Sequence, residues 1–164
     1  REGLKPDGRS TEITRLIGRS LRAALDFEKL GDYSIWIDCD VLEADGGTRT
    51  ASITGAWAAL RLGVDRWLQQ GILSVDPIIH QIAAVSVGIV EDEPRLDLCY
   101  QEDSSAQVDM NLVMDETGAF IEVQGTGEGR AFTRSEMNAM LSMGEAGIRS
   151  LFALQQQAVE ESRL

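Results

Sequence analysis

Apolar residues first recur at helical spacing, with Ile13, Leu16, Ile17, Leu21, Ala24 and Leu25 falling on one side of a 3.6-residue period. Ser10 or Thr11 can cap this helix, Glu12 lies in its first turn, and Gly31 ends it. The period then changes to two: Tyr33, Ile35, Ile37, Cys39 and Val41 alternate with Ser34, Trp36, Asp38 and Asp40, which predicts a strand feeding a Gly46-Gly47 turn. A second helix is expected from about Thr50 through Trp67 to Gly71, with Ala51, Ser52, Gly55 and Ala56 small enough at its start to pack closely on a sheet. Four strands should follow. Ile82 to Val90 is apolar and β-branched, Leu96 to Tyr100 and Val108 to Met114 alternate, and Asp115-Glu116-Thr117-Gly118 turns the chain into Ala119 to Val123. Thr133 and Glu136 have the spacing of a capping box, and open a Met- and Leu-rich helical tail with Gly144 or Gly147 as candidate breaks. The order helix, strand, helix, strands, helix gives an α+β class, in one domain over residues 1–164. No solenoid-type repeat or low-complexity segment interrupts it.

Composition changes the picture in three ways. With 43% apolar residues in 164, the chain can bury a continuous core without a metal or disulfide staple. Cys39 and Cys99 are the only cysteines and both fall in strand-like runs, so two buried thiols in a reducing cytoplasm are expected. No apolar run is long enough to span a membrane, no leader is recognisable, and the chain opens on Arg1, as a fragment would as readily as a processed protein. The net charge of −12 speaks against a polyanion partner until its distribution is considered. Up to Leu68 there are ten Lys or Arg against eleven Asp or Glu, and beyond it five against sixteen. A local basic surface is therefore compatible with the acidic whole. Arg15, Arg19 and Arg22 share one helical face, which reads equally as an RNA-facing stripe or as a solvated face.

Two segments carry candidate chemistry. Ala44-Asp45-Gly46-Gly47-Thr48-Arg49-Thr50-Ala51-Ser52 joins the strand-like to the helix-like segment. Its glycines allow close backbone approach, the N–H groups of a helix start point at any anion there, and Arg49 adds a planar fork of donors suited to phosphate. Asp103 and Asp109, in Tyr100-Gln101-Glu102-Asp103-Ser104-Ser105-Ala106-Gln107-Val108-Asp109-Met110-Asn111, read as a Mg²⁺-binding carboxylate pair or as a solvated acidic loop. His80 is the sole histidine, which argues against a His-rich zinc site and a Ser-His-Asp mechanism and leaves His80 a structural role. Arginines, carboxylates and a helix start fit electrostatic catalysis of phosphoryl transfer.

These same residues resemble the ribonuclease PH family of bacteria, phosphorolytic exoribonucleases that trim precursor transfer RNA at its 3′ end. Cys39-Asp40-Val41, the Ala44–Thr50 turn, Glu102-Asp103-Ser104, Asp109-Met110-Asn111 and Glu122-Val123-Gln124-Gly125-Thr126 occur in the family's order and at its spacing, and the resemblance spans essentially the whole chain. It implies the ribonuclease PH fold, of a β-α-β type shared with a domain of small-subunit ribosomal proteins, and assembly as a hexameric ring built as a trimer of dimers. It places inorganic phosphate on Arg9, Gly47, Thr48 and Arg49, and a general acid or a Mg²⁺ or Mn²⁺ ion on Asp103 and Asp109. It further implies a cytoplasmic enzyme acting on precursor tRNA and other RNA 3′ ends, ribosomal RNA included, with reverse nucleotide addition.

Two departures from the family pattern are small: Gly127 stands where Ala is usual, and Lys5-Pro6-Asp7-Gly8 replaces a more Gly- and Lys-rich approach to Arg9. A third is large, since the chain corresponds to the C-terminal part of the family sequence, about two-thirds of it. The N-terminal strands of the sheet would then be missing, and the piece alone is expected to be weakly active or prone to aggregate. Two other readings stay open: a non-catalytic RNA-binding ring subunit of an exosome-like assembly, and a Mg²⁺-dependent hydrolase, which would leave Arg9 and Arg49 without a clear task.

Overall fold

The structure, a computed structural model, describes residues 8–163, apart from the side chain of Arg9. Its elements are α1 (Gly8–Ala23), α2 (Phe27–Leu30), α3 (Thr48–Gln69), β1 (Ile82–Val90), β2 (Glu93–Leu96), α4 (Tyr100–Ser105), β3 (Val108–Asp115), β4 (Phe120–Gly127) and α5 (Arg134–Glu161). The strands form one antiparallel sheet in the order β2-β1-β3-β4, so the α+β expectation holds.

Strict alternation sorts the sheet's side chains onto two faces. Ala83, Val85, Val87 and Ile89 of β1 and Val108, Met110, Leu112 and Met114 of β3 pack with Met140, Ile148 and Phe152 of α5. On the other face Ile82, Ala84 and Val113 pack with Ile53, Ala56 and Trp57 of α3 and with Leu16 and Leu21 of α1. Every residue of β1 is consequently buried, which explains a continuous apolar run instead of an alternating one. Gln155 ties three elements together by donating from Nε2 to the carbonyls of Thr54 at 2.8 Å and Ile82 at 2.9 Å.

Several sequence expectations need correction. The first helix stops at Ala23, not Gly31, because the Asp26 carboxylate caps a separate turn, α2, by accepting from the Glu28 and Lys29 amides at 3.0 and 3.3 Å. Tyr33 to Val41 is not a strand: its backbone pairs with none of the described strands, although Ile35, Ile37 and Cys39 do face the core formed with α1 and α3. The run predicted as a strand from Leu96 to Tyr100 pairs only at its start, in β2, which follows β1 through a two-residue turn with positive φ at Glu91 and Asp92. Beyond it Cys99 is the N-cap of α4. Neither cysteine lies in a strand and both are only half-buried.

α5 runs unbroken through Gly144 and Gly147, because these glycines mark where the helix passes close to Leu112 and Leu96. The capping box at its start is present, with the Thr133 N–H donating to Glu136 Oε2 at 2.7 Å and the Glu136 N–H donating to Thr133 Oγ1 at 3.2 Å. His80 has a structural setting: its carbonyl accepts from Trp57 Nε1 at 2.9 Å, and its ring Nδ1 lies 3.2 Å from Glu116. Among the described residues no helix is long and apolar enough to cross a membrane.

Candidate functional site

The glycine turn closes onto the Leu98–Tyr100 segment at Gly46, where no side chain fits. Gly46 has φ 81° and Gly47 φ 58°, and a Cβ on Gly46 would collide with the Leu98 carbonyl. Gly47 is the N-cap of α3, so Thr48 and Arg49 occupy the first turn of that helix and present backbone N–H groups without intrahelical acceptors. The Gly47 carbonyl accepts from Thr50 Oγ1 at 2.9 Å and from the Ala51 amide at 2.9 Å, which fixes the turn to the helix.

The turn is also tied to the acidic segment. Asp45 accepts from the Tyr100 amide at 3.0 Å, at the first residue of α4. Ser86 of β1 holds the chain just before α4: its carbonyl accepts from the Asp97 amide at 2.7 Å and its Oγ from the Leu98 amide at 3.1 Å. Asp103 therefore stands on a short helix anchored to the glycine turn, and it is exposed. The Asp103 amide donates to the Cys99 carbonyl at 2.8 Å.

Asp109 enters from β3, on the sheet face shared with Asn111 and Val113, directly opposite Gly88 of β1. Gly88 has no room for a side chain, because the Val108 carbonyl and the Leu98 side chain close over it. Burial raises the Asp109 carboxyl above the usual carboxylate range, the charge of Asp103 raises it further, and Arg49 opposes both. Asp109 thus feels the charges of both Arg49 and Asp103, although the three come from a strand, a helix start and a short helix.

The remaining sequence candidates fall elsewhere or lie outside description. Arg9 is in the first turn of α1, with its side chain outside the described residues, as are Lys5 to Asp7. Arg15, Arg19 and Arg22 are exposed on α1, and Arg19 is spent on an ion pair of 3.1 Å with Glu122 of β4. Arg22 and Arg49 line a groove of about 840 Å³ bounded by α1, the Tyr33–Val41 segment and α3.

Sequence reasoning did not assign Glu12 or Gln124 to this site. Glu12 Oε1 lies 3.8 Å from Arg49 Nη1 and accepts from Gln124 Nε2 at 2.8 Å. Gln124 sits in one of the sequence motifs, but only the folding of α1 against β4 brings Glu12 to it.

Among the described residues no group of three or more His, Cys, Asp or Glu could enclose an ion, so an all-protein cage is not available. A carboxylate raised by burial and by a neighbouring carboxylate suits an ion such as Mg²⁺, which keeps waters and takes one or two carboxylates plus substrate oxygens.

Residues 1–63 match the profile described as 3′ exoribonuclease family, domain 1, and residues 80–147 match that described as 3′ exoribonuclease family, domain 2. A curated ribonuclease PH of Prochlorococcus marinus (strain MIT 9313) is 56% identical over 159 residues, covering 97% of this chain and 65% of that protein. That of Synechococcus sp. (strain JA-2-3B'a(2-13)) is 55% identical over 166 residues, covering 99% and 68%. The chain thus spans about two-thirds of the length of the curated relatives it matches. Among solved structures, an Archaeoglobus fulgidus exosome with RNA bound to the active site shares the fold at TM-score 0.69 and 21% identity, covering 93% of this chain and 64% of that one. The rice Rrp46 structure does so at TM-score 0.67 and 15% identity, covering 96% and 69%.

Proposed function

The chain belongs to the 3′ exoribonuclease family, of the ribonuclease PH type, and from that premise we propose that it is the catalytic part of a phosphate-dependent 3′-to-5′ exoribonuclease that trims precursor tRNA and other RNA 3′ ends. The observation that carries this is the meeting of a cationic helix start, Gly47-Thr48-Arg49, with the raised carboxyl of Asp109 and with Asp103. Such a site binds an anion and at the same time manages charge beside it.

In this reading inorganic phosphate sits on the amides of Thr48 and Arg49, on the Arg49 guanidinium and on Arg9. One of its oxygens attacks the terminal phosphodiester in line, a new P–O bond forms as the bond to the preceding 3′ oxygen breaks, and a nucleoside diphosphate leaves a shortened RNA. Asp103 and Asp109 supply the proton that the leaving oxygen takes up, or else hold a Mg²⁺ or Mn²⁺ ion. A bound ion would neutralise charge on the transferring group. Each charged hydrogen bond to phosphate contributes roughly 1.5–3 kcal/mol, so Arg49 alone accounts for about one to two decades in rate or phosphate affinity.

Residues 1–164 act as one unit in this reading, supported by the Gln155 bonds that join α3, β1 and α5. A homo-oligomeric ring, hexameric as a trimer of dimers, and a cytoplasmic setting complete it, the ring supported by the exosome-like fold and the setting by two unpaired cysteines. Arg15 and Arg22 remain candidates to face RNA, with Arg19 available only after its pair with Glu122 opens.

Product identity tests the proposal: a short 3′-extended RNA is incubated with Mg²⁺, with and without inorganic phosphate, beside an Arg49→Ala control. Phosphate-dependent nucleoside diphosphate that vanishes in the control is expected. Nucleoside monophosphate formed without phosphate would mean hydrolysis, and bound but uncut RNA would favour a non-catalytic ring subunit.

A further inference from the structure

We propose that Glu12 is a built-in competitor at the anion site: its carboxylate engages the Arg49 guanidinium and weakens the hold of that site on inorganic phosphate. The inference rests on the phosphate-site reading above and adds the residue that sets its affinity.

The geometry favours competition over positioning. The separation of Glu12 Oε1 from Arg49 Nη1, 3.8 Å, is longer than a hydrogen bond, so the carboxylate does not lock the guanidinium in one orientation. The firm contact of Glu12 is instead with Gln124 of β4, at 2.8 Å, which parks the negative charge beside Arg49. The Arg49 side chain is 24% exposed and that of Glu12 48%, so the cation belongs to the fold and the anion reaches it from the open side. A partly buried arginine is costly without an opposite charge, and Glu12 supplies one whenever phosphate is absent. Once phosphate sits on the α3 start, the same carboxylate becomes a like charge a few ångströms away and repels it. Gln124 holds it there, so it can leave only by giving up that bond.

The sign of the effect separates this role from a structural one, because a residue that merely orients Arg49 would weaken phosphate binding when lost. Calorimetric titration of inorganic phosphate into the 164-residue chain, at fixed ionic strength, compares the parent with Glu12→Gln, Arg49→Ala and the double variant. Glu12→Gln keeps the shape and the bonding capacity toward Gln124 while removing the charge; its Kd for phosphate should fall about three- to ten-fold. Glu12→Ala, a favourable substitution on a helix face, should shift Kd the same way. In the Arg49→Ala background the Glu12 change should have a smaller effect, since the competition for the guanidinium is gone and only the direct repulsion of phosphate remains. Unchanged or weaker phosphate binding by both Glu12 variants, with parent-like binding otherwise intact, overturns the proposal. If neither the parent nor Arg49→Ala binds phosphate, the phosphate-site reading itself falls.

Discussion

β3 runs between β1 and β4 with its backbone paired on both edges, whereas the Tyr33–Val41 segment lies against α1 and α3 with its backbone paired to no described strand. Both carry apolar side chains at every second residue. In β3 the two faces are covered by α5 and by α3, so even Asn111 and Asp115 are buried. In Tyr33–Val41 only one face is covered, and Trp36, on the other, is 94% exposed. Alternation therefore specifies which side chains turn inward, while a strand needs a neighbour whose N–H and C=O groups face it. The glycine turn follows the unpaired segment and packs on Leu98, which Ser86 of β1 holds, so the proposed anion site has a rigid side and an open one.

Hydrogen exchange should show the largest contrast. Amides of Leu112 and Val113 should exchange at least about a thousand-fold more slowly than those of Ile35 and Ile37. Similar protection in both would break the comparison by implying a ladder along Tyr33–Val41. Next, Leu112→Ala, at a fully buried position, should destabilise the fold by about 3–5 kcal/mol in urea titration. Ile37→Ala, half-buried on the one-sided segment, should cost about 1–2 kcal/mol.

Arg49→Ala, at the seam, should weaken phosphate binding by about one to two decades while leaving the urea midpoint nearly unchanged. A smaller effect is confined to the sheet side. Arg130 holds the Glu136 carboxyl down at about 2, from an ordinary 4.5, with help from the Thr133 N–H and hydroxyl. A lowered carboxylate contributes stability that is present above pH 4.5 and lost as the pH falls through about 2. Glu136→Gln should be the less stable protein at neutral pH, and its deficit should shrink across that window. Exchange in Tyr33–Val41 should not respond. Smallest of all, Trp36→Arg should change stability by no more than about 0.5 kcal/mol and should reduce any self-association seen in sedimentation.

Legibility in the sequence followed how local each signal is. β1, β3, α3 and the capping box of α5 were readable because their periodicity and caps act within a few residues. The break after Ala23 was missed because Asp26 caps a new turn instead of continuing the old helix, which an apolar stripe does not reveal. Cys99 looked like part of an alternating strand, yet the positive φ at Asp97 turns the chain into α4. Gly144 looked like a break and proved to be a crossing point. Of the proposed site, Gly47, Thr48, Arg49, Asp103 and Asp109 were visible as candidate chemistry in one dimension, and their placement relative to one another needed the fold. Glu12 could not be read at all, because nothing local links it to Arg49, 37 positions further along the chain.

The proposed function requires phosphate to bind at the start of α3. Titrating inorganic phosphate into the isotopically labelled chain while following backbone amide resonances tests it most directly. The largest shifts are expected at Gly47, Thr48 and Arg49, with smaller ones at Asp109 and Gln124. Shifts confined to the exposed arginines of α1, with the Gly47–Arg49 amides unmoved, would contradict it.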